Sequence, residues 1–347
     1  MIAKQIGKTN HQEMDIRIDF KHQQAAHCEN GVVSNLLRFY GIELSEPMVF
    51  GIGSGLFFSH MPFLKVGGIP VTSFRPLPGV IFKRISKRLG ITFEKHKYRQ
   101  PSKAMKALNT NLENNIPTGM LVGVYHLTYF PDPYRFHFNA HNIVAYGKQD
   151  DKYLISDPIM AGEETLTYDE LLRVRYAKGT FAPKGHMYWV KDIPKELDIE
   201  AAVVKGIKHV CKHMLTIPVP MFGVKGIRFL SKKLRNYPDK LGPRKAAAYT
   251  GQIVRAQEEI GTGGAGFRFM YGAFLQEAAE LLKNPDLRKR SFEISEIGDM
   301  WREFAIITGR IVKNRNKADE SYDKAADLLL KIADKEEAFF KQLQENV

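Results

Sequence analysis

Residues 27–41 read His-Cys-Glu-Asn-Gly-Val-Val-Ser-Asn-Leu-Leu-Arg-Phe-Tyr-Gly. Apolar residues at 32, 33, 36, 37 and 40 form one face of an α-helix, and Gly41 supplies its stop. Cys28 therefore falls at or just before the first turn. Upstream, residues 14–20 alternate apolar and polar, the pattern of a short strand. Downstream, Ser45-Glu46-Pro47 opens a second helix, with Ser45 as N-cap and an early-turn proline. Glycines at 51, 53 and 55, followed by Phe57-Phe58, mark a loop where backbones approach closely. Gly67 to Gly79 reads as loop or edge strand. Residues 80–89 read as a basic amphipathic helix ended by Gly90, residues 91–95 as a strand and 102–115 as a helix capped by Ser102. Residues 119–127 are apolar on both faces, as a central strand would be.

The pattern over 140–158 predicts a hairpin: a strand over 140–147, a turn at Lys148-Gln149-Asp150 and a second strand over 151–158. Pairing Gly147 with Asp151 places His141 directly opposite Asp157, on the same face of the sheet. A slip of one residue would send the two to opposite faces. Residues 165–175 then read as a helix and 186–190 as a closing strand. From Pro194 the pattern is helical, with helices expected over 198–214, 221–235, 243–259, 267–283, 291–313 and 317–345. The change of texture near 191–197 divides the chain into an expected domain of residues 1–193 and a helical one of 194–347.

A thiol at a helix start sits near unpaired backbone N–H groups and the positive end of the dipole, which favour the thiolate and can stabilise an oxyanion. The competing reading of Cys28 is a buried structural cysteine. A carboxylate facing an imidazole N–H fixes the ring tautomer for general-base work. Cys28, His141 and Asp157 together make a Cys-His-Asp constellation.

Composition narrows the classes. At 347 residues with 44% hydrophobic and 26% charged content, the chain is an ordinary globular sequence long enough for two cores. No apolar run approaches the roughly 18 residues of a membrane span, and Met1–Lys8 lacks the apolar region of a signal peptide. The two cysteines, Cys28 and Cys211, fit a reducing cytoplasm rather than a disulfide scaffold. The net charge of +13 is shared by both halves, but Lys65 to Lys106 holds eleven basic residues against the single acid Glu94. Lys83, Arg84, Lys87 and Arg88 recur there at helical spacing. Such a patch steers acidic partners. No helix-turn-helix, RNP or zinc pattern accompanies it, so nucleic acid is not the expected partner. Gly261-Thr262-Gly263-Gly264-Ala265-Gly266 has dinucleotide-loop spacing but follows a helical stretch, not a strand, so that context fails. The remaining reading is an interhelical loop, with Arg268 as a candidate phosphate contact. His126, His137, Cys211 and His213 are too scattered for a metal site.

Three stretches carry a family resemblance: His27-Cys28-Glu29-Asn30 with the helix that follows, Phe50-Gly51-Ile52-Gly53-Ser54-Gly55, and the His141 to Asp157-Pro158 pair. With the glycine-rich stretch 261–268 of the helical half, they resemble the butirosin biosynthesis protein H family over about residues 12–345. The resemblance implies an α+β, papain-like cysteine-enzyme domain, related to double-glycine leader peptidases, followed by an all-α domain. It further implies an acyltransferase that takes an acyl group from the phosphopantetheine thioester of an acidic acyl carrier protein, through a Cys28 acyl-enzyme, to a small-molecule amine. No bound cofactor is implied, since the phosphopantetheine arm belongs to the donor. Lys83, Arg84, Lys87, Arg88 and Arg268 become candidates for carrier or substrate contacts. The alternative is a peptidase or amidase of the leader-processing type. Papain-like enzymes usually place an oxyanion-hole glutamine six residues before the cysteine. His22 stands there in this chain, leaving Gln23 or Gln24 as candidates.

Overall fold

The computed structural model describes residues 15–347; the Met1–Lys8 segment and Met14 lie outside the described residues. In chain order the elements begin β1 (Ile16–Arg17), α1 (Cys28–Phe39), α2 (Glu46–Ile52), β2 (Ser59–Val66), β3 (Ile69–Ser73), α3 (Val80–Leu89), β4 (Thr92–His96) and α4 (Pro101–Glu113). There follow β5 (Thr118–Val122), β6 (His141–Gln149), β7 (Lys152–Ser156), β8 (Glu164–Thr167), α5 (Tyr168–Arg175) and β9 (Met187–Asp192). The rest is helical: α6 (Ile199–Thr216), α7 (Gly223–Arg235), α8 (Tyr237–Leu241), α9 (Pro243–Glu258), α10 (Arg268–Leu281), α11 (Pro285–Val312) and α12 (Tyr322–Glu345). The chain is thus α+β over its first part and all-helical after β9. No described helix is long and apolar enough to cross a membrane.

Contacts divide the chain into two compact units. One holds the described residues up to Gln24 with Glu94–Trp189; the other holds Ala25–Phe93 with Val190–Val347. The chain crosses after Gln24, within β4 and within β9, and the expected boundary near 191–197 lies beside the last crossing.

In the first unit an antiparallel sheet runs β9-β5-β6-β7-β8, with β1 paired to the far end of β6. Strand β6 is central because His141 to Tyr146 offers no polar face to water, and its first seven residues are buried. Gly147 lets β1 approach, since a Cβ there would come within 2.4 Å of the Ile16 carbonyl oxygen. Helix α4 packs on β5 and β6, and α5 on β5, β7 and β8. The expected helix over 165–175 begins later, because Thr167 forms a capping box with Glu170. The residues before it pair with β7 as β8.

The hairpin register differs from expectation. The turn is two residues long, Asp150-Asp151, both left-handed (φ 46° and 59°), as a type I′ turn requires. Gly147 therefore faces Leu154 rather than Asp151. Carried on unbroken, that register would send Asp157 to the face opposite His141. A bulge at Tyr146 shifts the pairing to Ala145↔Ile155 and Val144↔Ser156. Asp157 thereby returns to the face of Ile143 and His141, one diagonal step from His141 instead of directly across.

In the second unit α1, α2 and α3 pack with one another and with the C-terminal helices. Glycines set the closest approaches. A Cβ at Gly51 would fall 2.1 Å from the Phe274 ring of α10, and one at Gly206 of α6 would fall 2.5 Å from the Gly51 carbonyl. The core is aromatic: Trp301 contacts Phe58, Phe74 and Phe304, and Phe50 stacks on Phe267. Each such side chain contributes about 1.5–3 kcal/mol by burial. Strands β2 and β3, joined at Gly67-Gly68, form a separate hairpin; β2 was not expected. Helix α11 starts six residues before the expected 291, capped by Asn284 with Pro285 at its first position.

Candidate active site

Cys28 is the first residue of α1, with His27 in an extended conformation as N-cap. The helix forms there because Val32, Val33, Leu36 and Leu37 are all buried on one face. Glu46, at the start of α2, holds the approach to it: its carboxylate accepts the backbone N–H groups of Ala26 (2.9 Å) and His27 (2.7 Å). Burial pushes the Glu46 carboxyl above its ordinary range, and these two bonds act against that shift. Arg75 donates to the His27 ring and to the Glu29 carboxylate. Glu29 in turn accepts N–H groups of Gly79 and Phe82, capping the first turn of α3. The thiol thus stands on a buried polar network that ties α1 to α2 and α3. Cys28 is 7% exposed.

The glycine-rich stretch packs against this approach. A Cβ at Gly261 would lie 3.5 Å from the His27 ring, and one at Gly263 would lie 3.5 Å from the Ala26 side chain. Phe267 meets His27 edge-on at 5.4 Å. Ala265, Gly266 and Phe267 are all left-handed, and Gly266 leaves no room for a Cβ beside Phe74 (2.2 Å).

In the first unit, His141 Nε2 lies 2.7 Å from Asp157 Oδ2, with both side chains buried. Asp157 Oδ2 also accepts the Tyr129 hydroxyl (2.9 Å), and Oδ1 accepts the Ile159 N–H (3.1 Å). Burial, then Asp157, push the Tyr129 phenol well above its ordinary pKa, so it stays a donor. Phe130 meets the His141 ring edge-on at 5.6 Å. Because the carboxylate only accepts, His141 Nε2 is the donor in this bond, as the Tyr129 hydroxyl is in its own. Among the residues that meet Asp157, Tyr129 lies 28 positions before it, and nothing local in the sequence marks it as a partner of the carboxylate. Sequence reading did not find Glu46, Glu29 or Arg75, whose roles depend on partners 19 to 53 residues away.

Other expected site residues fall elsewhere. Arg268, expected as a candidate phosphate contact, is fully buried and forms a bidentate pair with Glu336 (2.8 and 2.9 Å), its guanidinium over Trp301. Arg84 and Arg88 turn inward, donating to the Ser54 carbonyl and to the Ile52 carbonyl and Ser54 hydroxyl, while Lys83 and Lys87 stay exposed. Gln23 and Gln24 are exposed, and the Gln24 amide donates to the Ile159 carbonyl at 3.4 Å. His22 is held by the Ser156 hydroxyl (2.8 Å) and the Met160 carbonyl (3.1 Å). Cys211 is buried, with its thiol pushed up to about 12 by burial.

Two family models match the chain. One, described as the N-terminal part of butirosin biosynthesis protein H, matches residues 27–158; the other, described as a domain of unknown function (DUF4872), matches residues 169–343. No curated protein matches the sequence. Among solved structures, the chain is similar to one described as a C39-like peptidase from Bacillus anthracis, at 12% identity and a TM-score of 0.35, covering 52% of this chain and 100% of that one. The first match opens on the residue before Cys28 and takes in both His141 and Asp157, and the second spans half of the chain, so the chain belongs to the DUF4872 family and carries, ahead of that domain, a region that matches the N-terminal part of butirosin biosynthesis protein H.

Proposed function

We propose that the protein is a papain-like cysteine acyltransferase working in a biosynthetic pathway, with Cys28 as nucleophile, His141 as base and Asp157 as the group that orients it. The observation that supports this reading most is the buried His141–Asp157 bond, in which His141 Nε2 is the donor. Cys28, as the first residue of a helix, meets the requirement of a nucleophile favoured as thiolate. His141 takes the Cys28 thiol proton and becomes imidazolium, and the thiolate attacks the carbonyl carbon of an acyl thioester. The tetrahedral intermediate expels the donor thiolate, which takes a proton from imidazolium. An amine then attacks the acyl-enzyme, His141 takes the amine proton, and the Cys28 thiolate leaves with the amide formed. In this reading the donor is the phosphopantetheine thioester of an acidic carrier protein, and the exposed Lys83 and Lys87 suit its charge.

The test is intact-protein mass spectrometry of wild type and Cys28→Ala after incubation with acyl thioesters on pantetheine and on a carrier protein. A mass gain of one acyl group in wild type only, discharged by amines faster than by water, is the expected result. No adduct, together with cleavage of peptides that end in small residues, would replace the transferase by a leader-type peptidase. Silence in both assays would leave Cys28 a core residue.

A further inference from the structure

Helices α3 and α6 bring together a cationic cluster that the proposed chemistry does not use. Arg84 and Arg88 lie half-buried against the end of α2, each with only part of its guanidinium engaged by the Ile52 and Ser54 oxygens. Across from them, His209 and His213 stand one turn apart on α6 with ring centroids 3.9 Å apart, and Lys212 lies beside them. Phe57 meets His213 edge-on. His209 Nε2 is buried and has no hydrogen-bond partner among the described residues. Burial comes first and Arg84 second in pulling His209 down to about 3 and in lowering His213. The charged groups that act on the two rings are Arg84, Arg88 and Lys212, with His213 also acting on His209, and no carboxylate is among them. Arg88 is lowered to about 10 by burial and then by Arg84. Exposed Lys83, Lys87, Lys205 and Lys208 extend the same two helices, and α6 carries a single acid, Glu200, in its first turn.

A buried ring nitrogen without a partner, inside a cluster of one sign, is a site completed by an anion. We propose that the α3–α6 face binds a phosphate group, held by the free guanidinium N–H groups of Arg84 and Arg88, by His209 Nε2–H and by Lys212. Planar guanidinium forks suit tetrahedral oxyanions, and neutral imidazoles there can take up protons as the negative charge arrives. Taking the phosphate to be that of the phosphopantetheine arm rests on the acyl-transfer reading; a free phosphate would bind through the same chemistry.

The test is calorimetric titration of the full chain with inorganic phosphate, pantetheine and phosphopantetheine at pH 6 and pH 8, in buffers of different ionisation enthalpy. Saturable phosphate binding is expected, with proton uptake and affinity about tenfold higher at pH 6. Lys212→Ala, an exposed change, should weaken it about tenfold, and His209→Phe should remove the proton uptake. Lys65→Ala should leave it unchanged. Phosphopantetheine binding well above both pantetheine and inorganic phosphate assigns the carrier arm; equal binding of phosphate and phosphopantetheine assigns free phosphate. No binding at tens of millimolar, or binding unchanged in both Lys212→Ala and His209→Phe, overturns the site. Cys28→Ala should bind phosphate as wild type does, so a failed acyl-loading assay would sink the acyltransferase and leave this site standing.

Discussion

Replacing Asp157 by asparagine isolates what the carboxylate does, because the side chain keeps its size. Asp157 now accepts three hydrogen bonds, from His141, Tyr129 and the Ile159 N–H. An asparagine has one oxygen for them. With that oxygen toward His141, its NH2 would face the Ile159 N–H and leave buried donors unmatched, at a cost of about 1–3 kcal/mol. Turned the other way, the oxygen keeps Ile159 and the NH2 donates to His141 Nε2 and to the Tyr129 oxygen. This second arrangement is favoured by that difference, about five- to 150-fold. It forces the proton of His141 onto Nδ1, where the base should be, and removes the negative charge that steadies the imidazolium. A loss of about 10²–10⁴ in the rate of Cys28 acylation follows, with little change in thermal stability. Stopped-time mass spectrometry of acyl loading measures the rate, and a thermal melt measures the fold. A rate within tenfold of wild type, with the fold intact, would refute the tautomer argument. A large drop in melting temperature would show that Asp157 serves the structure instead.

Three further outcomes can be checked on the same protein. Glu336→Gln breaks a fully buried pair with Arg268 and disturbs the Trp301 indole N–H bonded to the same oxygen, so it should cost about 3–5 kcal/mol and lower the melting temperature by about 6–20 °C; a drop under about 2 °C would contradict that. Glu46→Ala frees the backbone N–H groups of Ala26 and His27 and should slow alkylation of Cys28 by iodoacetamide several-fold, with Glu46→Gln, which retains one acceptor, in between; equal rates in all three would remove Glu46 from the positioning of the thiol. Burial, then Lys233, hold His60 at about 4, so between pH 6.5 and 4 the unfolded chain binds a proton that the folded chain does not, and stability falls on acidification by up to about 1.4 kcal/mol per pH unit from this residue. His60→Gln should flatten that slope in urea titrations at pH 7 and pH 4.5, and an unchanged slope would exclude His60 as its source.

Local physics made much of the site legible. The spacing of Val32, Val33, Leu36 and Leu37 fixed the helix, and with it the place of Cys28 at the first turn. The association of His141 with Asp157 was also readable, but for an incomplete reason. The expected three-residue turn is in fact two residues in left-handed conformation, and a bulge at Tyr146, which no pattern of polar and apolar residues announces, puts the two side chains back on one face. Arg84 and Arg88 were readable in principle. They lie three residues after Ile81 and Ile85 and so flank the buried face, whereas Lys83 and Lys87 lie opposite it. Arg268 was not readable, because its partner Glu336 is 68 residues away on α12 and only the packed helices bring the two together. Strand β2 was missed because its last four residues are exposed and Pro62 interrupts it.

The C-terminal helices do more than follow the first domain. Cys28 lies in the same compact unit as residues 190–347, and the contacts that place it there are specific. Gly51 and Gly206 let α2, α6 and α10 approach where any side chain would collide. Phe267, at the end of the glycine-rich loop, meets the His27 ring, and the Asn30 amide reaches the Met270 sulfur. The interhelical loop 261–266, whose dinucleotide-like spacing lacks the preceding strand, is therefore packing for the residues just before the thiol. A Cβ added at its left-handed Gly261 or Gly263 would lie at van der Waals distance from His27 or Ala26, and Gly266 leaves no room for one beside Phe74. The helical half thereby shapes the ground from which the proposed nucleophile acts. This requirement gives a physical reason for the two matched regions to occur in one chain: α1 is encoded in the first, and part of the surface it stands on, Phe267 and Met270, in the second.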